Sequence, residues 1–241
     1  MELEGKVALV TGGARRVGRA LSLGLARHGA DVIVNYNDSA TDAAATVDDI
    51  RALGRRAHAV RANLASVPDL QQLIEETERT FGRLDVLVNN AARFDRAPIR
   101  DIQEADWDRV LAVNLKAPFF LTQSALPLLR AARGVIINIA DLSALQAWPS
   151  YAHHAVSKAG LVHLTRVLAR ALAPGIRANS IIPGTVLPPP GYQQDQGDGG
   201  EGWLTPRQGT PDDVVDALLY LVRAEFVTGE CLVVDGGRTV Y

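Results

Sequence analysis

Residues 6–18 read Lys6-Val7-Ala8-Leu9-Val10-Thr11-Gly12-Gly13-Ala14-Arg15-Arg16-Val17-Gly18, a short apolar run that passes through a glycine-rich turn directly into helical periodicity. An apolar strand, a turn free of side-chain bulk and a helix with its N-terminal amides exposed form a setting in which a pyrophosphate is bound by backbone donors and the helix dipole. Working outward, further apolar runs are expected as strands at Asp31–Asn35, Ala57–Arg61, Leu84–Asn89, Gly134–Ala140, Ile176–Ile182 and Cys231–Val234, with Lys6–Thr11 as the first. Most are apolar on both faces, as strands covered on both sides must be. Helical patterns fill about 17–28, 40–53, 68–81, 104–132, 151–173 and 211–223, with Gly29 and Gly54 suited to helix C-termini and Thr210-Pro211 to a start. Strand and helix alternate from end to end, which predicts one α/β domain over residues 1–241: a doubly wound, Rossmann-like fold with about seven parallel strands and helices on both faces. The one long irregular stretch, about 185–209, holds Pro188-Pro189-Pro190 and Gly199-Gly200 and reads as a substrate loop.

Composition narrows the function. With 241 residues, 47% apolar and 22% charged, the chain can bury a full core and has no signature of disorder. A net charge of −2 leaves no basic excess for a phosphate backbone, so nucleic acid is excluded as a partner. No apolar run reaches membrane length, the N-terminus lacks a signal-peptide pattern, and Cys231 is the only cysteine; together these point to the cytoplasm. No His/Cys/Asp cluster has metal-ligand spacing. His28, His58 and the Asp48-Asp49 and Glu75-Glu76 pairs read as structural or solvated. Only 13 residues are aromatic (3 Trp, 5 Tyr, 5 Phe), few enough to weigh singly as pocket residues.

The second strand ends in Asn35-Tyr36-Asn37, without the carboxylate that binds a ribose 2′-hydroxyl in NAD sites, and Arg15 and Arg16 stand in the turn. Both features favour NADP(H), because a 2′-phosphate gains cationic partners there. Asp38 argues the other way.

Beyond the turn, the chain carries Asn89-Asn90-Ala91-Ala92, Asn114, a helix with Lys158, Asn179-Ser180-Ile181-Ile182-Pro183-Gly184, and Val227-Thr228-Gly229 followed by Val234-Asp235-Gly236-Gly237. In this order the motifs resemble a short-chain dehydrogenase/reductase over essentially the whole chain. The resemblance implies a cofactor site at Gly12, Arg15, Arg16, Val17, Gly18, Asn35, Tyr36, Ser39, Asn63, Leu64, Asn90, Ala91, Lys158, Pro183 and Gly184. It also implies a catalytic set of Asn114, Asp141, His154 and Lys158, and a homotetramer. Arginine at 16 in place of glycine, Phe94 after the Asn-Asn-Ala motif, and Asp141 in place of the usual serine resemble the pteridine reductase branch. Arg16, Phe94, Asp141 and Tyr151 are then expected to bind a flat pterin or folate, Phe94 by stacking and Asp141 through an amino-pyrimidine edge.

The family's tyrosine, four residues before the lysine, is His154 here. The 13 residues from Asp141 to His154 match the usual serine-to-tyrosine interval, so the register holds. At about 100° per residue, Tyr151, His154 and Lys158 share one helical stripe and His153 faces elsewhere. The proton for reduction can come from His154 as imidazolium, from Asp141 or from water, and the first predicts a pH optimum on the acidic side. Three functions follow from these residues: an NADPH-dependent reduction of a dihydropterin or dihydrofolate C=N bond, a generic carbonyl reduction, and a catalytically idle NADP(H)-binding sensor or scaffold.

Overall fold

The computed structural model describes residues 1–187 and 203–240. Seven parallel strands form a single sheet in the order β3-β2-β1-β4-β5-β6-β7. They are β1 Val7–Val10, β2 Asp31–Tyr36, β3 Ala57–Arg61, β4 Val86–Asn89, β5 Val135–Ile139, β6 Arg177–Pro183 and β7 Cys231–Val234. The helices are α1 Arg16–Arg27, α2 Ala40–Ala52, α3 Val67–Phe81, α4 Glu104–Leu111, α5 Ala117–Ala132, α6 Ala152–Leu172 and α7 Pro211–Arg223. This is the doubly wound architecture expected from the sequence, with boundaries shifted by one or two residues.

Alternation along the strands divides the core in two. Ala8, Val10, Val32 and Val34 face the side covered by α1, α2 and α7, through Leu21, Leu25, Ile50 and Leu218. Leu9, Ile33, Leu87 and Ile136 face α3, α5 and α6, through Leu70, Leu73, Leu121 and Leu168. Each strand is therefore apolar on both sides because each side is a core. The register places Val10 opposite Val34 and Val88, and Asn89 opposite Asn138, so the carboxyl ends of β1, β4 and β5 come out level. The chain order reverses between β1 and β4, where ligands bind in open α/β sheets.

Residues 104–132, read as one helix from sequence, are not one. A π turn at Ala112–Lys116 separates α4 from α5 and carries the buried Asn114. One extra residue per turn rotates the helix locally, a feature frequent at functional sites and invisible to hydrophobic periodicity. Of the expected substrate loop, Pro188–Gly202 lies outside the described residues.

Candidate active site

The glycine turn is held from three sides. Asn90 Nδ2 donates to the Thr11 carbonyl at 2.8 Å, Thr11 Oγ1 accepts from the backbone amides of Asn90 and Ala91 at 2.9 and 3.1 Å, and Gly12 N–H donates to Asn35 Oδ1 at 3.2 Å. Gly12 sits at φ +59°, and a β-carbon on Gly18 would lie 2.1 Å from the Gly12 carbonyl oxygen. No residue larger than glycine fits at position 18, which keeps the turn tight against the start of α1. Arg16 takes the left-handed conformation at φ +52°, a position at which glycine is the easier residue. Its guanidinium donates to the Leu187 carbonyl at 2.6 Å, joining the turn to the segment that follows β6.

These elements enclose a cleft of about 460 Å³ at the carboxyl ends of β1, β2 and β4. Gly12, Arg15, Arg16, Val17, Gly18, Asn35, Tyr36, Ser39, Asn63, Leu64, Asn90 and Ala91 all line it, as the sequence predicts. A glycine turn, a helix N-terminus and a cleft of this kind fit a dinucleotide. Asn35, however, is buried and fully engaged: its amide nitrogen faces the carbonyls of Val60 and Ala62 at 3.4 and 3.3 Å. Its side chain braces the turn. Arg15 is exposed and stands 3.9 Å from Asp42, while Asp38 lines the cleft and accepts a 2.6 Å bond from Asn37. Pro183 ends β6 and does not line this cleft; Gly184, next to it, lines a second cavity, of about 380 Å³, together with Trp203 and Asp213.

At the other end of the cleft, beyond Ala92 and Arg93, the catalytic candidates meet. His154, buried at the start of α6, has Nε2 2.7 Å from Asp141 Oδ2 and Nδ1 2.8 Å from the Arg93 carbonyl oxygen. The second oxygen of Asp141 accepts from the Ser143 amide at 2.9 Å and from the Ser143 hydroxyl, capping a short turn at 142–144. Both Asp141 oxygens are thus in use. Burial by itself raises the Asp141 carboxyl, but the His154 hydrogen bond, the charges of Lys158 and His154, and the Ser143 hydroxyl outweigh it and hold the carboxyl at about 2. Lys158 is buried and donates to the Ile139 carbonyl at 2.8 Å; burial lowers its ammonium, and the Asp141 charge partly restores it. Asn114 donates to Ser157 Oγ and to the Arg93 carbonyl, each at 3.0 Å.

Phe94 is 41% exposed and stacks on Tyr151, with centroids 4.4 Å apart and planes at 20°. Its ring also meets His154 edge to face at 4.7 Å. Trp148 touches both Phe94 and Tyr151 and went unnoticed in the sequence, where a lone aromatic in an irregular segment carries no pattern. The Arg93 carbonyl was also missed, because backbone groups leave no mark on side-chain motifs. His153 points away, as its helical angle requires, and both its ring nitrogens are buried without a hydrogen-bond partner among the described residues. Among the described residues, no group of three or more His, Cys, Asp or Glu is placed to hold a metal ion, and no helix is long and apolar enough to cross a membrane.

The sequence profile of a family described as enoyl-(acyl carrier protein) reductase matches residues 12–239. The chain is 36% identical over 245 residues to a 3-oxoacyl-[acyl-carrier-protein] reductase of Staphylococcus aureus, covering 96% of this chain and 97% of that one. It is equally similar, 36% over 248 residues, to an L-rhamnose 1-dehydrogenase (NAD(P)(+)) of a Sphingomonas species, covering 99% and 98%. Among solved structures, a short chain dehydrogenase from Burkholderia cenocepacia in complex with NADP superposes with a TM-score of 0.93 at 34% identity, over 99% of this chain and 100% of that one. A blue fluorescent protein from a metagenomic library in complex with NADPH gives 0.91 at 35%, over 99% of each. With this fold, this cleft and relatives matched end to end, the chain belongs to the short-chain dehydrogenase/reductase family.

Proposed function

We propose that this chain is an NADPH-dependent reductase of a carbonyl substrate in which His154 replaces the family's phenol as proton donor. The observation that supports the proposal is the 2.7 Å contact between His154 Nε2 and the ionised Asp141, which favours a proton on Nε2 at the position where the family carries its phenol. When bound, the cofactor supplies hydride to the carbonyl carbon. The chain's own residues do the rest. Gly12, Gly18 and the α1 N-terminus would hold the pyrophosphate, and Arg15 and Arg16 would supply cations for the cofactor's phosphates. Lys158 would hold the nicotinamide ribose and, with Asp141, sets the charge around His154.

The relatives support a carbonyl, since one is a 3-oxoacyl reductase and another a sugar dehydrogenase. Asp141 supports the same choice, because with both oxygens engaged it has little capacity left for an amino-pyrimidine edge. A pterin or folate is the second reading, favoured by the exposure of the Phe94 ring beside Tyr151. A cytoplasmic location, a homotetramer and a substrate loop over about 185–209 complete the proposal.

The test is NADPH oxidation with ketones and 3-oxoacyl thioesters set beside dihydrobiopterin and dihydrofolate, repeated with His154→Ala. Ketone turnover falling by about 10²–10⁴-fold in the variant is the expected result. Turnover of pterins alone moves the substrate class to the second reading. Tight NADPH binding with no turnover of any substrate makes the protein an idle binder and refutes the proposal.

A further inference from the structure

We infer that Asn114, acting through the backbone of Arg93, is a positioning residue that holds His154 with a proton on each ring nitrogen. The π turn at Ala112–Lys116 carries Asn114 into the buried site. Its orientation there is fixed, because Oδ1 accepts the Arg93 N–H at 2.8 Å and the amide nitrogen must then point the other way. That nitrogen has two hydrogens, and two acceptors take them at 3.0 Å: the Arg93 carbonyl and Ser157 Oγ. Its approach to His154 Nδ1, at 3.3 Å, is longer than either. Asn114 thus grips Arg93 by both its N–H and its carbonyl, and holds that carbonyl oxygen 2.8 Å from His154 Nδ1.

At the opposite side of the ring, Nε2 faces Asp141 Oδ2 at 2.7 Å. A backbone carbonyl and an ionised carboxylate are both pure acceptors. A neutral imidazole has a single N–H, so either tautomer turns a nitrogen lone pair toward an oxygen at hydrogen-bond distance, in a site with no room to turn away. Only the doubly protonated ring satisfies both contacts. Lys158 adds a like charge to the cluster, and Asp141 is the anion that offsets both cations. In the reduction proposed above, on which the kinetic part of this inference rests, the substrate oxygen takes the Nε2 proton as its carbon gains hydride. The ring left behind is neutral and keeps Nδ1–H on the Arg93 carbonyl. The side chain of Asp141, 23% exposed, is the route by which a solvent proton returns to Nε2.

The full chain labelled with [15N]histidine tests this by NMR at pH 7, the His154 signals being assigned by their loss in His154→Gln. Both ring nitrogens are expected at protonated-type shifts. In Asn114→Ala, Nδ1 moves toward the unprotonated type, and kcat falls about tenfold, a fraction of what a general acid contributes, with KM for NADPH unchanged. An unprotonated ring nitrogen on His154 in the native protein overturns the inference, as does an Asn114→Ala spectrum identical to it. The native spectrum, once assigned, depends neither on Asn114→Ala folding nor on turnover. Two protonated nitrogens in a protein that reduces nothing therefore reject the reductase proposal and leave this inference standing.

Discussion

Asp141→Asn removes a charge whose worth to the fold can be worked out from its surroundings. The structure holds this carboxyl at about 2, against an ordinary value of 3.8, and a difference of that size corresponds to about 2–3 kcal/mol of folding free energy. The side chain is 23% exposed, so solvent screening removes little of this. The folded carboxyl lies below its ordinary value, so the stabilisation is fully present above about pH 5 and lost as the pH falls through 2. Urea unfolding of native protein and variant, compared at pH 7, 5, 4 and 3, should show the native protein ahead by about 2–3 kcal/mol at pH 7. That lead should shrink by about 1 kcal/mol at pH 3, where the unfolded chain is mostly protonated and the folded one is not. The variant also loses the negative charge that offsets burial at Lys158, so the lysine ammonium falls further below its ordinary range. A stability difference that stays constant from pH 7 to pH 3 would falsify the claim that an ionised Asp141 holds this site together.

Three further substitutions probe the framework around the site. Gly18→Ala places a β-carbon 2.1 Å from the Gly12 carbonyl oxygen, so the turn must open; NADPH affinity by fluorescence titration is expected to drop at least about 100-fold, and native-like binding would contradict the tight turn. Thr165→Val leaves the Asn138 amide without its 2.9 Å acceptor in the core between β5 and α6, and should cost about 1–3 kcal/mol in chemical denaturation with the cofactor Kd unchanged. Arg16→Gly relieves a left-handed residue worth about 1–2 kcal/mol and gives much of it back as unfolded-chain entropy. Its Tm should therefore move little while NADPH binding weakens; unaltered binding would remove Arg16 from the cofactor site.

The fold was legible because its signals are local and repeated. Apolar runs such as Val32-Ile33-Val34 and Val135-Ile136-Ile137 can be buried on both faces only in a covered parallel sheet, and helical patterns between them supply the cover. The cleft at the glycine turn was legible for the same reason, since Gly12, Gly18 and the start of α1 are contiguous. Asn35 was placed correctly in the cleft, yet its amide is spent bracing the turn, because hydrogen-bond partners 25 and 27 residues away have no sequence signature. Gly184 follows the motif and lines a second cavity. The spacing of Asp141, His154 and Lys158 grouped residues that do meet in the structure, without their connections.

Sequence alone determined that position 154 carries an imidazole in place of a phenol, that Asp141 stands 13 residues before it, and that a parallel α/β sheet delivers both to one end. Tertiary structure decided what that imidazole is bonded to. The Arg93 carbonyl comes from the segment after β4, the Asp141 carboxylate from the end of β5, and Asn114 from a π turn that periodicity reads as plain helix. Each acceptor is a matter of distance and direction between segments far apart in the chain, and those are fixed only when the sheet closes and the helices pack against it.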